Sequence, residues 1–214
     1  MNVIDALKGH GVVPVVAIKN ASDSEPLAYA LAEGGLPCAE ITFRTDAAEE
    51  SIRKIASRFP EMTLAAGTVL SADQADRAIS AGASLIVSPG FNPSVVEHCL
   101  KKGYPVVPGI VTPSEIELAM SFGLKYLKFF PAEAAGGIKM VKAMAAPYSD
   151  VRFMPTGGIG PDNLGDYLSF DKVFACGGSW MVKGSLISEG NFDEIKKLTR
   201  EAVSIIKKVR EQEI

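Results

Sequence analysis

Eight short Val/Ile-rich runs, the longer amphipathic stretches between them and the lack of any break in composition predict an α/β chain. The expected architecture is one (β/α)8 TIM barrel domain over residues 1–214, with a short extra helix at the N-terminus. The runs are 12–19, 38–44, 63–69, 84–89, 105–111, 126–131, 152–156 and 173–177, and they begin 21 to 26 residues apart. That spacing accommodates one strand, one helix and two short loops. Barrels of this kind usually take about 250 residues, so the expected one is compact with short loops. An open doubly wound sheet is the competing pattern. Against it, Lys19-Asn20-Ala21-Ser22 follows the first run where a dinucleotide fold carries G-x-G-x-x-G.

The punctuation between runs supports each helix in turn. Residues 2–9 read as the extra helix. Ser22 or Asp23 is a candidate N-cap, with Pro26 in the first turns. Ser71-Ala72-Asp73-Gln74 has the form of a capping box. Asn92-Pro93 and Thr112-Pro113 read as an N-cap followed by Pro at the first helical position, and Thr112 with Glu115 fits a second box. Gly34, Gly82, Gly103 and Gly123 stand where helices should end in a left-handed residue. In the last stretch, Ile195, Leu198, Ala202, Ile205 and Val209 form an apolar stripe.

Composition narrows the function classes. The chain has 214 residues, 47% hydrophobic and 22% charged, with a net charge of −3. A chain of this length buries about 70% of the surface exposed when unfolded and needs no disulfide or metal staple. The slight acidity argues against a nucleic-acid partner. Cys38, Cys99 and Cys176 are an odd number without C-x-x-C spacing and read as small buried hydrophobes in a reducing compartment. The first residues lack the apolar core of a leader, and no apolar run reaches about 18 residues. A cytoplasmic protein without a membrane partner is expected.

In a barrel of this type, function sits at the C-terminal ends of the strands. The second run reads Cys38-Ala39-Glu40-Ile41-Thr42-Phe43-Arg44. Alternation puts Glu40, Thr42 and Arg44 on one face, directed into the barrel, and Ala39, Ile41 and Phe43 toward the helices. A buried Glu–Arg pair stabilises weakly because desolvation offsets the attraction, so functional use is the cheaper explanation. In the sixth run Lys128 stands among Leu127, Phe129, Phe130 and Pro131. Burial there disfavours the ammonium form, and a neutral lysine is an amine nucleophile suited to forming a Schiff base with a carbonyl. The bland alternative is a structural Lys128–Glu40 pair.

The seventh and eighth runs end in Thr156-Gly157-Gly158-Ile159-Gly160 and Cys176-Gly177-Gly178-Ser179. Gly-rich turns ahead of helix N-termini expose backbone N–H groups to anions, and barrels often bind phosphate at these two loops. The third run ends at Thr68, whose hydroxyl is placed to bond a small carboxylate beside Arg44, itself able to hold one through two parallel hydrogen bonds.

These segments resemble a known family. Residues 39–45 (AEITFRT), 65–70 (AAGTVL), 88–90 (SPG), 108–110 (PGI), 128–133 (KFFPAE), 155–159 (PTGGI) and 177–180 (GGSW) are similar to the 2-keto-3-deoxy-6-phosphogluconate (KDPG) / 4-hydroxy-2-oxoglutarate (KHG) aldolases. The likeness spans nearly the whole chain, with the motifs in family order. It implies a class I aldolase on a (β/α)8 barrel, usually a homotrimer, that needs no metal or other cofactor. By motif, it matches Lys128 to the Schiff-base lysine and Glu40 to the general acid/base. Arg44 and Thr68 match residues around the pyruvate carboxylate, and Phe130 and Pro89 match pocket walls. Thr156, Gly157, Gly158 and Ser179 match the site for the far end of the substrate, including its phosphate.

The implied reaction cleaves KDPG to pyruvate and glyceraldehyde 3-phosphate, and KHG to pyruvate and glyoxylate. An aldolase for the galactonate epimer is a close alternative. A phosphosugar isomerase or epimerase with Glu40 as base, and a non-catalytic phosphometabolite-binding barrel, are more distant ones. His10 and His98 lie at no expected C-terminal strand end, which argues against a metal-dependent aldolase.

Overall fold

A computed structural model describes residues 2–211. Helix α1 (Val3–His10) starts on Asn2, whose Oδ1 accepts from the Ile4 N–H at 3.1 Å. Then follow β1 (Val12–Val16), a 3-10 turn (Ala21–Asp23), α2 (Ser24–Glu33), β2 (Cys38–Thr42), α3 (Ala48–Arg58), β3 (Thr63–Gly67), α4 (Ala72–Ser80), β4 (Leu85–Val87) and α5 (Pro93–Lys102). The second half holds β5 (Val106–Val107), β6 (Gly109–Ile110), α6 (Pro113–Ser121), β7 (Tyr126–Phe129), α7 (Gly137–Ala145), β8 (Arg152–Pro155) and α8 (Leu164–Leu168). Last come β9 (Cys176–Gly178), a 3-10 turn (Trp180–Val182), α9 (Gly184–Ser188) and α10 (Phe192–Glu211). No helix among the described residues is long and apolar enough to cross a membrane.

All the strand pairs are parallel, in two curled sheets of order β5-β4-β3-β2-β1-β9 and β6-β7-β8. The single eight-strand ladder expected from the spacing is therefore interrupted. The fifth run divides around Pro108, which has no N–H to donate. The eighth run lies later than expected: Val173 makes only an isolated bridge to Phe153, and the ladder resumes at Cys176. A second isolated bridge joins Thr156 to Gly177. Most other strands stop two or three residues short of the apolar runs, because the remaining residues turn into loops at the C-terminal ends.

Burial follows the strand alternation. Ile41 and Ala39 of β2 join the large core shared with Ile52, Ile55, Leu27 and Leu31 of the helices. The opposite face packs into a smaller interior core of Val13, Ala65, Leu85, Val87, Val107, Met154 and Phe174, which Leu7 of α1 joins. The extra N-terminal helix thus covers an interior that would otherwise expose these side chains to water. Register then fixes which face the polar residues take. Glu40 pairs with Ala65, and Lys128 with Met154, so both share the face of the interior core.

Helix punctuation is met at most positions. Asn92 caps α5 at 3.0 Å from the Ser94 N–H. Thr112 and Glu115 form the complete box on α6. Ser71 accepts from the Gln74 N–H, but the Gln74 side chain takes the Leu70 N–H, so that box is only half formed. Ser22 does not cap α2; Asp23 takes the N-cap position, but its side chain makes no capping bond. The 3-10 turn intervenes, and Ser24 Oγ donates to the Ala21 carbonyl at 2.6 Å. Gly82, Gly103 and Gly123 are left-handed as expected; Gly34 is right-handed, and Gly35 takes the left-handed position instead. A Cβ at Gly34 would sit 2.5 Å from Thr199, so this glycine serves close packing on α10. The buried stripe of α10 is Ile195, Thr199, Ala202 and Ile206, while Leu198, Ile205 and Val209 are half-buried. Thr199 tolerates burial because its hydroxyl donates to the Ile195 carbonyl at 2.7 Å. All three cysteines are buried and unpaired.

Thr112→Ala removes the hydroxyl of the complete capping box. It is expected to cost about 1 kcal/mol and to lower Tm by about 2–4 °C in a chain of this size. A calorimetric Tm equal to that of the wild type would show that the cap contributes nothing.

Candidate active site

The site begins with two residues 88 positions apart. Glu40 on β2 and Lys128 on β7 meet inside the barrel, where Lys128 Nζ donates to Glu40 Oε1 at 3.0 Å. Both are buried, at 0% and 4% exposure. Glu40 Oε2 is buried too and has no hydrogen-bond partner among the described residues. The backbone makes room for the carboxylate: a Cβ on Gly67 of β3 would overlap it. Lys128 Nζ also lies 5.5 Å from the centroid of the Phe130 ring, close enough for the ring face to attract an ammonium.

Phe130 belongs to the wall of a cavity of about 360 Å³ at the C-terminal strand ends, a size that suits a small metabolite. Arg44, Thr68 and Pro89, from the loops after β2, β3 and β4, line it as well. So do Thr156, Gly157 and Gly158 after β8 and Ser179 after β9. The predicted substrate-binding residues therefore come together around one cavity. Lys128 and Glu40 are not in its wall; they are held against each other behind Phe130.

Arg44 is exposed and stands two residues past the end of β2, in a turn. Strand alternation did not place it, although it reaches the expected cavity. Thr42, on the same face of β2 as Glu40, is buried, and its hydroxyl donates to the Val16 carbonyl at 2.8 Å. Arg44 Nε donates to Thr68 Oγ1 at 3.2 Å. Thr68 has φ +56°, the one left-handed non-glycine among the described residues. A β-branched residue is strained in that region, and such strain gathers at ligand clamps.

The expected helix N-termini for phosphate are weak. Helices α8 and α9 have five residues each, and a three-residue 3-10 turn follows Ser179. The backbone itself remains. Gly157 and Gly158 have φ of 102° and 81°, which only glycine adopts cheaply. Successive N–H groups in such turns form a concave anion site. Asn163 braces this loop, accepting from the Gly160 N–H at 2.8 Å and donating to the Gly158 carbonyl at 3.1 Å.

Gly177 and Gly178 of β9 also line the wall, and Val15, Val16, Ala17 and Ile159, which were not anticipated, complete it. Apolar residues that present only surface or backbone carry no chemical signature in a sequence. His10 neighbours Thr63 at the N-terminal end of β3, and His98 pairs with Asp76 at 2.9 Å on the α4–α5 surface; neither reaches the cavity.

Comparison with known proteins identifies the family. Residues 3–198 match the model of the aldolase family described as KDPG and KHG aldolase. The 2-dehydro-3-deoxy-phosphogluconate aldolase of Haemophilus influenzae is 48% identical over 96% of this chain and 97% of its own. The KHG/KDPG aldolase of Escherichia coli is 46% identical over 90% of both. Among solved structures, the KDPG aldolase of Legionella pneumophila, captured with pyruvate as a covalent carbinolamine intermediate, superposes with a TM-score of 0.91 at 35% identity, covering 94% of this chain and 98% of that one. Matched almost end to end by the family model and by these relatives, this protein belongs to the KDPG/KHG aldolase family.

Proposed function

We propose that this chain is a class I aldolase, a carbon–carbon lyase that cleaves KDPG to pyruvate and glyceraldehyde 3-phosphate, and KHG to pyruvate and glyoxylate. The observation that carries the reading is the buried Lys128 amine, 3.0 Å from the Glu40 carboxylate and beside a cavity with Arg44 and Thr68 in its wall. The Legionella relative, trapped with pyruvate as a carbinolamine, supports the same chemistry.

The residues divide the work. Arg44 and Thr68 hold the substrate carboxylate. Glu40 takes a proton from Lys128, leaving a neutral amine that attacks the C2 carbonyl carbon to give a carbinolamine. Glu40 returns that proton to the carbinolamine hydroxyl, which leaves as water; the carboxylate is regenerated and the product is a protonated imine, an electron sink. Glu40, directly or through one water, removes the C4 hydroxyl proton; its Oε2 is the acceptor left without a partner. The C3–C4 bond breaks, its electron pair moves into the imine to form an enamine, and the aldehyde departs. Protonation at C3 and hydrolysis release pyruvate and regenerate the amine. Pro89 and Phe130 wall the reacting end. Thr156, Gly157, Gly158 and Ser179 hold the far end, with its phosphate in KDPG.

The same reading takes the two curled sheets as one closed eight-strand barrel forming a single domain. Val106–Val107 and Gly109–Ile110 are then one strand bent at Pro108, and the isolated bridges close the seam between β8 and β9. It also implies a homotrimer working in the cytoplasm on small keto acids, without nucleic-acid or membrane partners. Exposed Leu70, Leu118 and Met120 supply apolar surface for subunit contact, and the three unpaired thiols fit a reducing compartment.

Borohydride added with pyruvate should leave one pyruvate-derived mass on Lys128, located by peptide mapping. No adduct, or an adduct on another lysine, rejects the imine mechanism. Lys128→Arg keeps the charge and should abolish both adduct and turnover. Glu40→Gln should slow cleavage by about 10²–10⁴-fold in a coupled pyruvate-release assay; normal turnover would remove Glu40 from the acid/base role. Sedimentation equilibrium should give three times the chain mass, and a monomer mass would reject the trimer.

A further inference from the structure

The segment that follows the lysine strand is tied to the Gly157-Gly158 turn and to the helix after it, chiefly through Glu133. Its backbone N–H donates to the Gly157 carbonyl at 3.0 Å, next to the bond from the Ala132 N–H to the Thr156 carbonyl at 2.8 Å. Its side-chain stem fills the space over Gly158, where a Cβ would fall 2.5 Å from Glu133 Cγ. Its carboxylate accepts from the hydroxyl of Tyr167. Tyr167 is 1% exposed and belongs to α8, the helix that ends the same loop. One glutamate thus grips the loop at its start and, through Tyr167, at its finish. Gly137 leaves the pair its room, since a Cβ there would meet Glu133 Oε1 at 3.1 Å and the Tyr167 hydroxyl at 3.4 Å.

The energetics make this more than a packing contact. A buried phenol needs a partner for its hydroxyl, and a charged acceptor makes the stronger bond. Burial and the adjacent Glu133 push the Tyr167 hydroxyl well above its ordinary range, so it stays a protonated donor at neutral pH. The turn it braces has two left-handed glycines and is followed by a five-residue helix, so its shape rests on the side chains that bond or pack on it, Asn163 on one side and Glu133 with Tyr167 on the other.

Resting on the aldolase reading above, we propose that Glu133 and Tyr167 are positioning residues that fix the Gly157-Gly158 turn for the phosphate end of the substrate and so favour phosphorylated over unphosphorylated keto acids. Neither residue touches the reacting carbons. The pair acts on recognition of one end of the substrate, and imine formation at the other end does not depend on it.

The test compares KDPG with the phosphate-free KHG in Tyr167→Phe, Glu133→Ala and Glu133→Gln. For Tyr167→Phe and Glu133→Ala, KM for KDPG should rise about tenfold with kcat little changed, the size expected when one charge-assisted hydrogen bond behind the turn is lost. Both constants for KHG should stay within about twofold of wild type, a difference too small to count as a lost interaction. Glu133→Gln keeps an acceptor oxygen for Tyr167 and should restore the KDPG constant. Equal losses on both substrates, or an unchanged KM for KDPG, overturn the positioning role. Borohydride trapping with pyruvate on the same samples separates the two claims. Adducts at Lys128 with unaltered discrimination overturn the positioning role alone, whereas a wild type that forms no adduct overturns the aldolase reading and this role with it.

Discussion

The contact between Lys128 and Glu40 is the constraint around which the interior is arranged. Two opposite charges removed from water recover little net stability, because desolvation offsets most of their attraction. Here the balance is poorer still, since one carboxylate oxygen is buried without a partner. Replacing the pair by apolar residues of similar volume would be expected to stabilise the fold. The chain instead keeps an amine and a proton acceptor in contact, shielded from bulk water. That is the arrangement an imine-forming nucleophile needs, and stability for it must come from elsewhere.

It comes from the rest of the barrel. The interior core of Val13, Ala65, Leu85, Val87, Val107, Met154 and Phe174 fills the space below the pair, and Leu7 of α1 packs into it. Where neighbouring strands approach most closely, side chains are deleted rather than rearranged. Gly67 leaves room for the Glu40 carboxylate, and Gly177 leaves room for Thr156. The loops at the strand ends then differ in how they carry function. Thr68 holds a strained conformation beside Arg44, whereas the Gly157-Gly158 turn is unstrained because glycine occupies it, and it depends on Asn163, Glu133 and Tyr167 for its shape.

What could be read from the residues follows the range of the forces involved. Strand alternation is local, so Glu40 and Lys128 could be assigned to the interior before any contact was known. Caps act over three residues, and the Thr112–Glu115 box and the Asn92 cap were visible for that reason. Strand ends were placed too late, because apolar composition continues into loops that line the cavity. The break at Pro108 and the delayed last strand arise from pairing between distant segments. So do Gly34 against Thr199 and the Tyr167–Glu133 bond across 34 positions. Arg44 reached its predicted cavity through a turn rather than a strand face, and the helix dipoles assumed for phosphate are largely missing. In both cases the residue types were informative and the assumed local geometry was not. The catalytic assignments drew on motif resemblance as well as on burial, and the substrate came from resemblance alone.

The central claim is that one buried amine forms the covalent bond to substrate while the loops at the strand ends orient its two ends. A crystal soaked with pyruvate tests this most directly. The account predicts electron density continuous from Lys128 Nζ to the pyruvate C2, with the carboxylate bonded by Arg44 and Thr68 and Glu40 within hydrogen-bond distance of the adduct. Density joined to another lysine, or a carboxylate seated on the Gly157-Gly158 turn, would contradict it.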